Sequence, residues 1–269
     1  RLGDTAIRHF GAECRINSTL AWLERIPKQC KGQAPIFAKD TGLIEQLPRI
    51  EREAAKISEL LSMAYPLLKE HLDSSDDYEG RFRFAHGDVG ATIRDIAAQI
   101  TLQASGWLGR LEVLEDTLSE ALSDKQYSVT IPDVEVFYQQ VGTWLSGAER
   151  LVSLWDRLHR ELKQDAIPMA CWLKLDDSGG GNLEISVNAS PIQAAEILRD
   201  SLWGNCYAAV ITSATLRSLG NFSTLQRETG IPDSAHFLSV AGAFDYAKSA
   251  VVRVPADAIE GNKAEEHTD

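Results

Sequence analysis

The chain has 269 residues, of which 44% are hydrophobic and 25% charged, a composition that excludes a disordered or fibrous protein and allows a sizeable core. Its apolar runs are shorter than the roughly 18 to 20 residues of a bilayer span, so we expect no transmembrane helix and no membrane partner. The net charge of −12 argues against a broad nucleic-acid surface, although residues 1–60 carry 10 Lys or Arg against 8 Asp or Glu and leave room for a local basic face.

The first part of the chain has helical periodicity. Apolar residues recur every three or four positions up to about Pro27, which predicts a first helix that ends there. After a connector at residues 28–42, a second helix is predicted over residues 43–72, with Pro48 in its first turn. The acidic residues 73–77 predict a solvated loop, and the alternation at residues 81–84 predicts a short extended segment.

Two long helices are predicted next. Asp88 can cap a helix over residues 90–123, on which Gly106 and Gly109 predict a close crossing with a neighbour. The apolar stripe of this helix consists of Ile93, Ile96, Ile100, Trp107, Leu111, Leu114 and Leu118. Pro132 suits the first turn of a last long helix, whose pattern continues to Leu162.

Beyond these helices the periodicity changes from 3.6 to 2. Residues 169–175 and 183–187 alternate as strands, and the Gly- and Asp-rich residues 176–182 between them predict a hairpin. A helix over residues 192–202 should follow. The continuous apolar run at residues 207–212 then predicts a strand buried on both faces of a parallel sheet, with a turn and a helix directly after it. The predicted fold class is mainly α, with an α/β part after the helical block.

The sequence lacks the common motifs of catalysis and metal binding. Its Gly179-Gly180-Gly181 run is not followed by Lys and Ser or Thr, so it does not resemble a phosphate-binding loop, and no serine occupies a nucleophile elbow. Neither the six histidines nor the four cysteines have the spacing of metal ligands. We therefore predict no catalytic residue and no metal site, and we interpret the cysteines as reduced thiols of a cytoplasmic protein.

Small hydroxyl residues follow the predicted strand at residues 207–212. Thr212, Ser213, Ala214 and Thr215 would lie at the carboxyl end of that strand, where ligands and moving parts of α/β sheets collect. Two interpretations remain open. Ser213 or Thr215 could cap the next helix, or the hydroxyls could relay the state of an acidic active-site loop on a neighbouring strand.

Four segments carry a resemblance to a known family. The sequence VITSATLRSL at residues 210–219, with NFS at 221–223, resembles motif III of the DinG family, bacterial relatives of the XPD helicase in superfamily 2. RLGDTA at residues 1–6 is similar to the segment after the DEAH box, RFRF at 81–84 with Gly87 to part of the Arch domain, and FDY at 244–246 to the start of the second motor domain. At the last segment, AGA at 241–243 replaces the Ser-Pro step that precedes this motif in the family.

The resemblance implies a domain organisation. Residues 1–11 would end a first segment of motor domain 1, a RecA-like P-loop NTPase domain. Residues 12–165 would form the helical Arch domain, residues 166–217 would return to motor domain 1, and residues 218–269 would begin motor domain 2. We expect the chain to be a piece of a longer protein whose ATP- and Mg²⁺-binding motifs and 4Fe-4S ligands precede Arg1, so that the piece by itself is inactive.

The resemblance also implies a function. The intact protein would be a bacterial, cytoplasmic, ATP-dependent DNA helicase moving 5′ to 3′ in repair and replication, with the Arch guiding single-stranded DNA. Forked DNA and RNA–DNA hybrids are further expected substrates. Residues 212–215 would couple ATP hydrolysis to DNA binding, and Arg81, Arg83 and Arg217 would contact the DNA backbone.

An alternative function is protein docking without catalysis. The acidic balance after residue 60 and the helical bundle also suit an interaction module for a replication or repair partner. The YoaA branch of the same family implies a polymerase clamp-loader subunit as such a partner, and a single-strand-binding protein is another candidate.

Overall fold

The computed structural model describes residues 7, 10–33, 41–75, 80–124, 131–160, 169–177, 183–240, 248 and 251. In chain order its elements are β1 (Ala12–Arg15), α1 (Ile16–Leu23), α2 (Ile26–Gln33), α3 (Thr41–Asp73), β2 (Arg81–Arg83), a 3₁₀ turn (Ala85–Gly87), α4 (Gly90–Asp124), α5 (Ile131–His159), β3 (Met169–Asp177), β4 (Leu183–Pro191), α6 (Ala195–Leu198) continued by a π-helical turn (Arg199–Trp203), and α7 (Ser223–Thr229). The predicted loop at residues 76–77, the turn at 178–182 and the segments 1–6, 161–162 and 241–247 lie outside the described residues.

The long helices α3, α4 and α5 carry the hydrophobic core and confirm the helical predictions. Helix α4 packs between the other two, and every residue of its predicted stripe is buried. The largest fully buried side chains are Trp107, Trp144 and Trp155. Asp88 accepts a hydrogen bond from the backbone N–H of Gly90, the first residue of α4, at 3.0 Å.

The predicted close crossing at Gly106 and Gly109 is wrong. An added Cβ at either glycine would have no atom within 4 Å, so both lie on an open side of α4. The close approach occurs at Gly147 on α5, where a Cβ would lie 2.3 Å from the ring of Trp22 on α1. That ring also makes an edge contact with Trp107, at a centroid distance of 5.6 Å, and thereby joins α1 to the core.

The strands form one antiparallel sheet in the order β1-β4-β3-β2. The short link between β3 and β4 dictates antiparallel pairing, because parallel neighbours need a long crossover. The predicted hairpin is therefore confirmed, as is the mainly α fold with a strand-containing part. The parallel RecA-like sheet that the resemblance implies is not among the strands that the structure describes.

Three segment predictions are wrong. The predicted helix end at Pro27 and the predicted connector from residue 28 are replaced by α2 (Ile26–Gln33), which has Pro27 in its first turn, where proline is tolerated. Residues 12–15 are a strand rather than part of a helix, because Cys14 turns to the core while Glu13 and Arg15 turn to solvent. Residues 207–212 have irregular backbone and are exposed, with Tyr207 fully so and Val210 92% exposed. A doubly buried strand needs neighbours on both edges and a layer on each face, and the described residues supply neither to this run.

Contacts divide the chain into two units, Arg1–Pro232 and Asp233–Asp269. The first unit holds all the elements named above. In the second, the described residues 233–240 make a turn at Asp233 and Ser234 and continue as irregular backbone. No described helix is both long and apolar enough to traverse a bilayer. The assignment of residues to Arch and motor domains stays a prediction.

Candidate nucleic-acid interface

The four-stranded sheet has one buried face and one open face. The residues that turn inward against the helices are Cys14, Cys171, Leu173, Ile185, Val187 and Ala189. Because side chains alternate along a strand, their neighbours line the opposite face. That open face holds a groove of about 950 Å³, and we call it the sheet groove.

Basic side chains from three strands line the sheet groove. One row of paired residues crosses all four strands. Arg81 of β2 pairs with Lys174 of β3, and Lys174 pairs with Ser186 of β4. Ser186 in turn pairs with Arg15 of β1. Three inter-strand steps separate the Cα atoms of Arg81 and Arg15 by about 14 Å. Arg83 occupies the next outward position on β2. The structure therefore brings two of the predicted DNA contacts, Arg81 and Arg83, together with two cations that the sequence analysis missed.

Two carboxylates moderate the positive charge of the groove. Arg15 donates a 3.0 Å hydrogen bond to Glu13, which raises the pKa of the guanidinium, and Lys174 forms an ion pair with Asp176. Arg83 forms no ion pair among the described residues. Four Lys or Arg and two Asp or Glu side chains line the groove, leaving a formal excess of two positive charges in a chain whose net charge is −12.

A tryptophan lies at the centre of the groove. Trp172 of β3 pairs with Arg83 on one side and with Asn188 of β4 on the other. It is partly exposed and is not packed into the hydrophobic core. The period-2 pattern of residues 169–175 places Trp172 and Lys174 on one face of the strand, so their shared face could be predicted from the sequence. The sequence did not tell which face of the sheet is open.

The neighbouring segment fixes strand β2 beside the groove. Phe82, Phe84 and His71 contact one another, with ring centroids 4.9 to 5.4 Å apart, and the Phe84 N–H donates to the carbonyl of Cys171 at 3.0 Å. Gly87 has φ +75°, and a Cβ there would lie 2.5 Å from the carbonyl oxygen of Met169. A glycine is thus required where this turn approaches β3.

The predicted coupling residues lie apart from the sheet groove. Thr212, Ser213, Ala214 and Thr215 are exposed and do not line it. The hydroxyls of Ser213 and Thr215 are 3.2 Å apart, and the Thr215 N–H donates to the Ser213 hydroxyl, also at 3.2 Å. Of the two interpretations left open by the sequence, the one in which Ser213 or Thr215 caps the next helix is wrong, because α7 begins only at Ser223.

Asn221 and Arg217 instead organise the start of α7. The Ser223 N–H donates to the Asn221 side chain at 3.1 Å. Two guanidinium nitrogens of Arg217 donate to the Gly220 carbonyl, at 2.8 and 2.6 Å, and brace the turn before the helix. Arg217 does not line the sheet groove, which holds Arg81 and Arg83.

The described residues do not fit the cofactors that the resemblance implies. Cys14, Cys30 and Cys171 are buried at separate places in the core, and burial raises the pKa of their thiols to about 11, 12 and 11. Such thiols stay protonated, whereas a 4Fe-4S cluster needs thiolates that converge. Within the described ranges no group of three or more His, Cys, Asp or Glu side chains is placed to hold a metal ion such as Mg²⁺.

Comparison with known proteins identifies relatives of the chain. No family model matches it. It is 26% identical to the ATP-dependent DNA helicase DinG of Photobacterium profundum over 96% of the chain and 36% of that protein. It is 24% identical to DinG of Salmonella paratyphi A over 81% of the chain and to DinG of Escherichia coli K12 over 79%, which is 30% and 29% of those proteins. The chain thus spans about a third of the length of these relatives, and the resemblance to the DinG family that its sequence predicted is confirmed.

Proposed function

We propose that the chain is the part of a DinG-type ATP-dependent DNA helicase that guides single-stranded DNA, and that the sheet groove contacts the DNA backbone. The observation that carries the proposal is the cluster of four basic side chains on an open sheet face, in a chain that is otherwise acidic. Such clusters bind the phosphate groups of nucleic acids because binding releases the counterions condensed on the nucleic acid. Movement from 5′ to 3′ and a role in repair follow from the same family resemblance.

Arg81 and Arg83 are the proposed backbone contacts in this groove. Each guanidinium presents several hydrogen-bond donors that match phosphate oxygens. A contact with phosphate is the same whatever the base sequence. Lys174 and Arg15 extend the positive charge across the sheet, while Glu13 and Asp176 limit its strength. Binding should therefore be weak, sequence-independent and sensitive to salt.

The test is the affinity of the 269-residue chain for a labelled oligothymidine strand, measured by fluorescence anisotropy at several salt concentrations. In Arg81→Gln/Arg83→Gln the slope of log K against log salt should become shallower by about 0.7 for each lost contact. Arg25→Gln/Arg52→Gln carries the same charge change at exposed positions outside the groove and is the matched control. Equal loss of affinity in both double variants would contradict the proposal.

The segment at residues 212–215 is proposed to couple ATP hydrolysis to DNA movement in the longer protein. Its exposure in this chain supports the proposal, since a segment that contacts the rest of a motor must be accessible before that motor is complete. ATP, Mg²⁺ and a 4Fe-4S cluster would be held by residues outside the described ranges. In a full-length relative carrying the Ser213→Ala/Thr215→Val pair, DNA-stimulated ATP hydrolysis should persist while unwinding falls.

A second candidate function, protein docking, is favoured by exposed apolar residues on α4. Leu102 is 70% exposed and Val113 52%, and their spacing of 11 residues, close to three helical turns, places them on one face. A clamp-loader subunit or single-strand-binding protein is the proposed partner. A pull-down that fails with Leu102→Glu/Val113→Glu, while strand binding by the sheet groove is unchanged, would separate this function from DNA guidance.

A further inference from the structure

We infer that Trp172 stacks against an unpaired base and makes the sheet groove a single-strand site, an inference that rests on the proposed DNA contact of this groove. Trp172 stands at the middle of the open face, between Arg83 of β2 and Asn188 of β4. The chemistry that this position offers is a flat aromatic surface bordered by cations. Its ligand is an exposed nucleobase attached to a negatively charged backbone.

The placement of Trp172 differs from that of the core tryptophans. Trp107, Trp144 and Trp155 are fully buried, whereas Trp172 is partly exposed, lines the groove and lies outside the core cluster. The part of this ring that stays exposed gains nothing from folding itself. It does gain when a planar ligand covers it.

The sheet holds the backbone of Trp172 in place before any ligand arrives. Strand β3 is paired on both sides, with β2 and with β4, so the backbone of Trp172 is fixed by its neighbours. With its backbone already fixed, Trp172 has only side-chain conformational entropy left to lose when it binds. A four-stranded sheet that stacks bases on outward aromatic residues is also a general way to recognise single strands.

The polar surroundings match both parts of a nucleotide. Arg83, Arg81 and Lys174 lie on β2 and β3 next to the ring and can bind the phosphates on either side of the stacked base. The Asn188 amide nitrogen donates to the Ser186 hydroxyl at 3.2 Å, and both residues line the groove. A duplex keeps its bases stacked inside and would have to unpair one to use this surface, which makes the site selective for single strands.

The test compares strands with and without bases. The 269-residue chain is titrated with a labelled 12-nucleotide strand, with an abasic strand of the same length, and with a blunt duplex. The wild-type chain should bind the base-containing strand about tenfold more tightly than the abasic strand. Trp172→Ala should remove that difference while leaving the abasic affinity unchanged, and Trp172→Phe should retain most of it.

The controls separate stacking from folding and from backbone binding. Tyr207→Ala removes an exposed aromatic ring outside the groove and should keep the preference for bases. Circular dichroism and thermal unfolding verify that each variant is folded. Two results would overturn the stacking inference but leave the backbone contact standing. One is that Trp172→Ala lowers the affinity for the base-containing strand and for the abasic strand equally. The other is that the wild-type chain binds both strands with the same affinity. A wild-type chain that binds neither strand overturns the proposed function as well.

Discussion

Gly147 shows how a single missing side chain determines packing in this molecule. The Trp22 ring occupies the space where a Cβ of residue 147 would lie, 2.3 Å from the nearest ring atom. Gly147→Ala should therefore lower the free energy of unfolding by about 1–3 kcal/mol, because the ring must leave the position in which it contacts Trp107. Urea unfolding monitored by tryptophan fluorescence gives the value.

Gly142 is the matched control on the same helix. A Cβ there would have no atom within 4 Å, so Gly142→Ala should leave packing intact and stabilise α5 by about 0.5–1 kcal/mol. If both substitutions changed stability in the same direction, the close contact at Gly147 would not be the cause.

The buried thiols predict how stability depends on pH. Burial raises the pKa of Cys14 and Cys171 from 9.0 to about 11 and that of Cys30 to about 12. A raised pKa means that the folded chain keeps its protons when the unfolded chain has lost them. The contribution of the buried thiols to the free energy of unfolding is complete below pH 9. It declines as the pH rises from about 9 towards 12.

Urea unfolding at pH 8 and pH 10.5 measures this decline. The wild-type chain should lose more stability between the two pH values than the Cys14→Ala/Cys30→Ala/Cys171→Ala variant, which has no buried thiols to titrate. Lysine and tyrosine side chains are the same in both proteins. The difference between the two losses of stability therefore gives the effect of the thiols alone. Parallel declines would show that the thiols do not contribute.

At the scale of elements, helix α1 depends on a residue far along the chain. The Glu184 carboxylate of β4 accepts hydrogen bonds from the backbone N–H groups of Asn17 and Ser18, at 2.7 and 3.0 Å, and from the Ser18 hydroxyl at 2.6 Å. It thereby caps the amino end of the helix and offsets its dipole. Glu184→Gln should cost about 1 kcal/mol in the free energy of unfolding.

Glu59 provides the comparison for this cap. It is exposed on α3, so Glu59→Gln changes the same charge without removing a cap and should alter the midpoint of urea unfolding very little. A loss of stability as large as that of Glu184→Gln would mean that net charge, and not the cap, is responsible.

The same elements show what the sequence could and could not predict. Helices α3, α4 and α5 were predictable because a period of 3.6 is a local signal that repeats over many turns. Strand β1 was not, because four residues carry little pattern and its partner, β4, lies more than 170 residues later. Arg81 and Arg83 were found through the family resemblance of residues 81–84, whereas Arg15, Lys174 and Trp172 join them only through the register of the sheet.

At the scale of the whole molecule, the first unit should fold without the second. Contacts within Arg1–Pro232 far outnumber those within Asp233–Asp269, and the first unit holds both the core and the sheet groove. A chain ending at Pro232 should therefore unfold at the same temperature as the full chain and bind oligothymidine equally. Differential scanning calorimetry and anisotropy test this, and a lower unfolding temperature would assign a stabilising role to residues 233–269.

The exposed residues 207–211 have a consequence for handling the protein. No charged residue occurs between Cys206 and Leu216, no proline interrupts the run, and Tyr207 and Val210 are almost entirely in contact with solvent. Short segments of this composition template cross-β stacking between copies of a chain. Preparations at millimolar concentration would accordingly be prone to self-assembly through this segment. Replacing Val210 by lysine should reduce self-assembly, because a charge within the segment opposes stacking between copies.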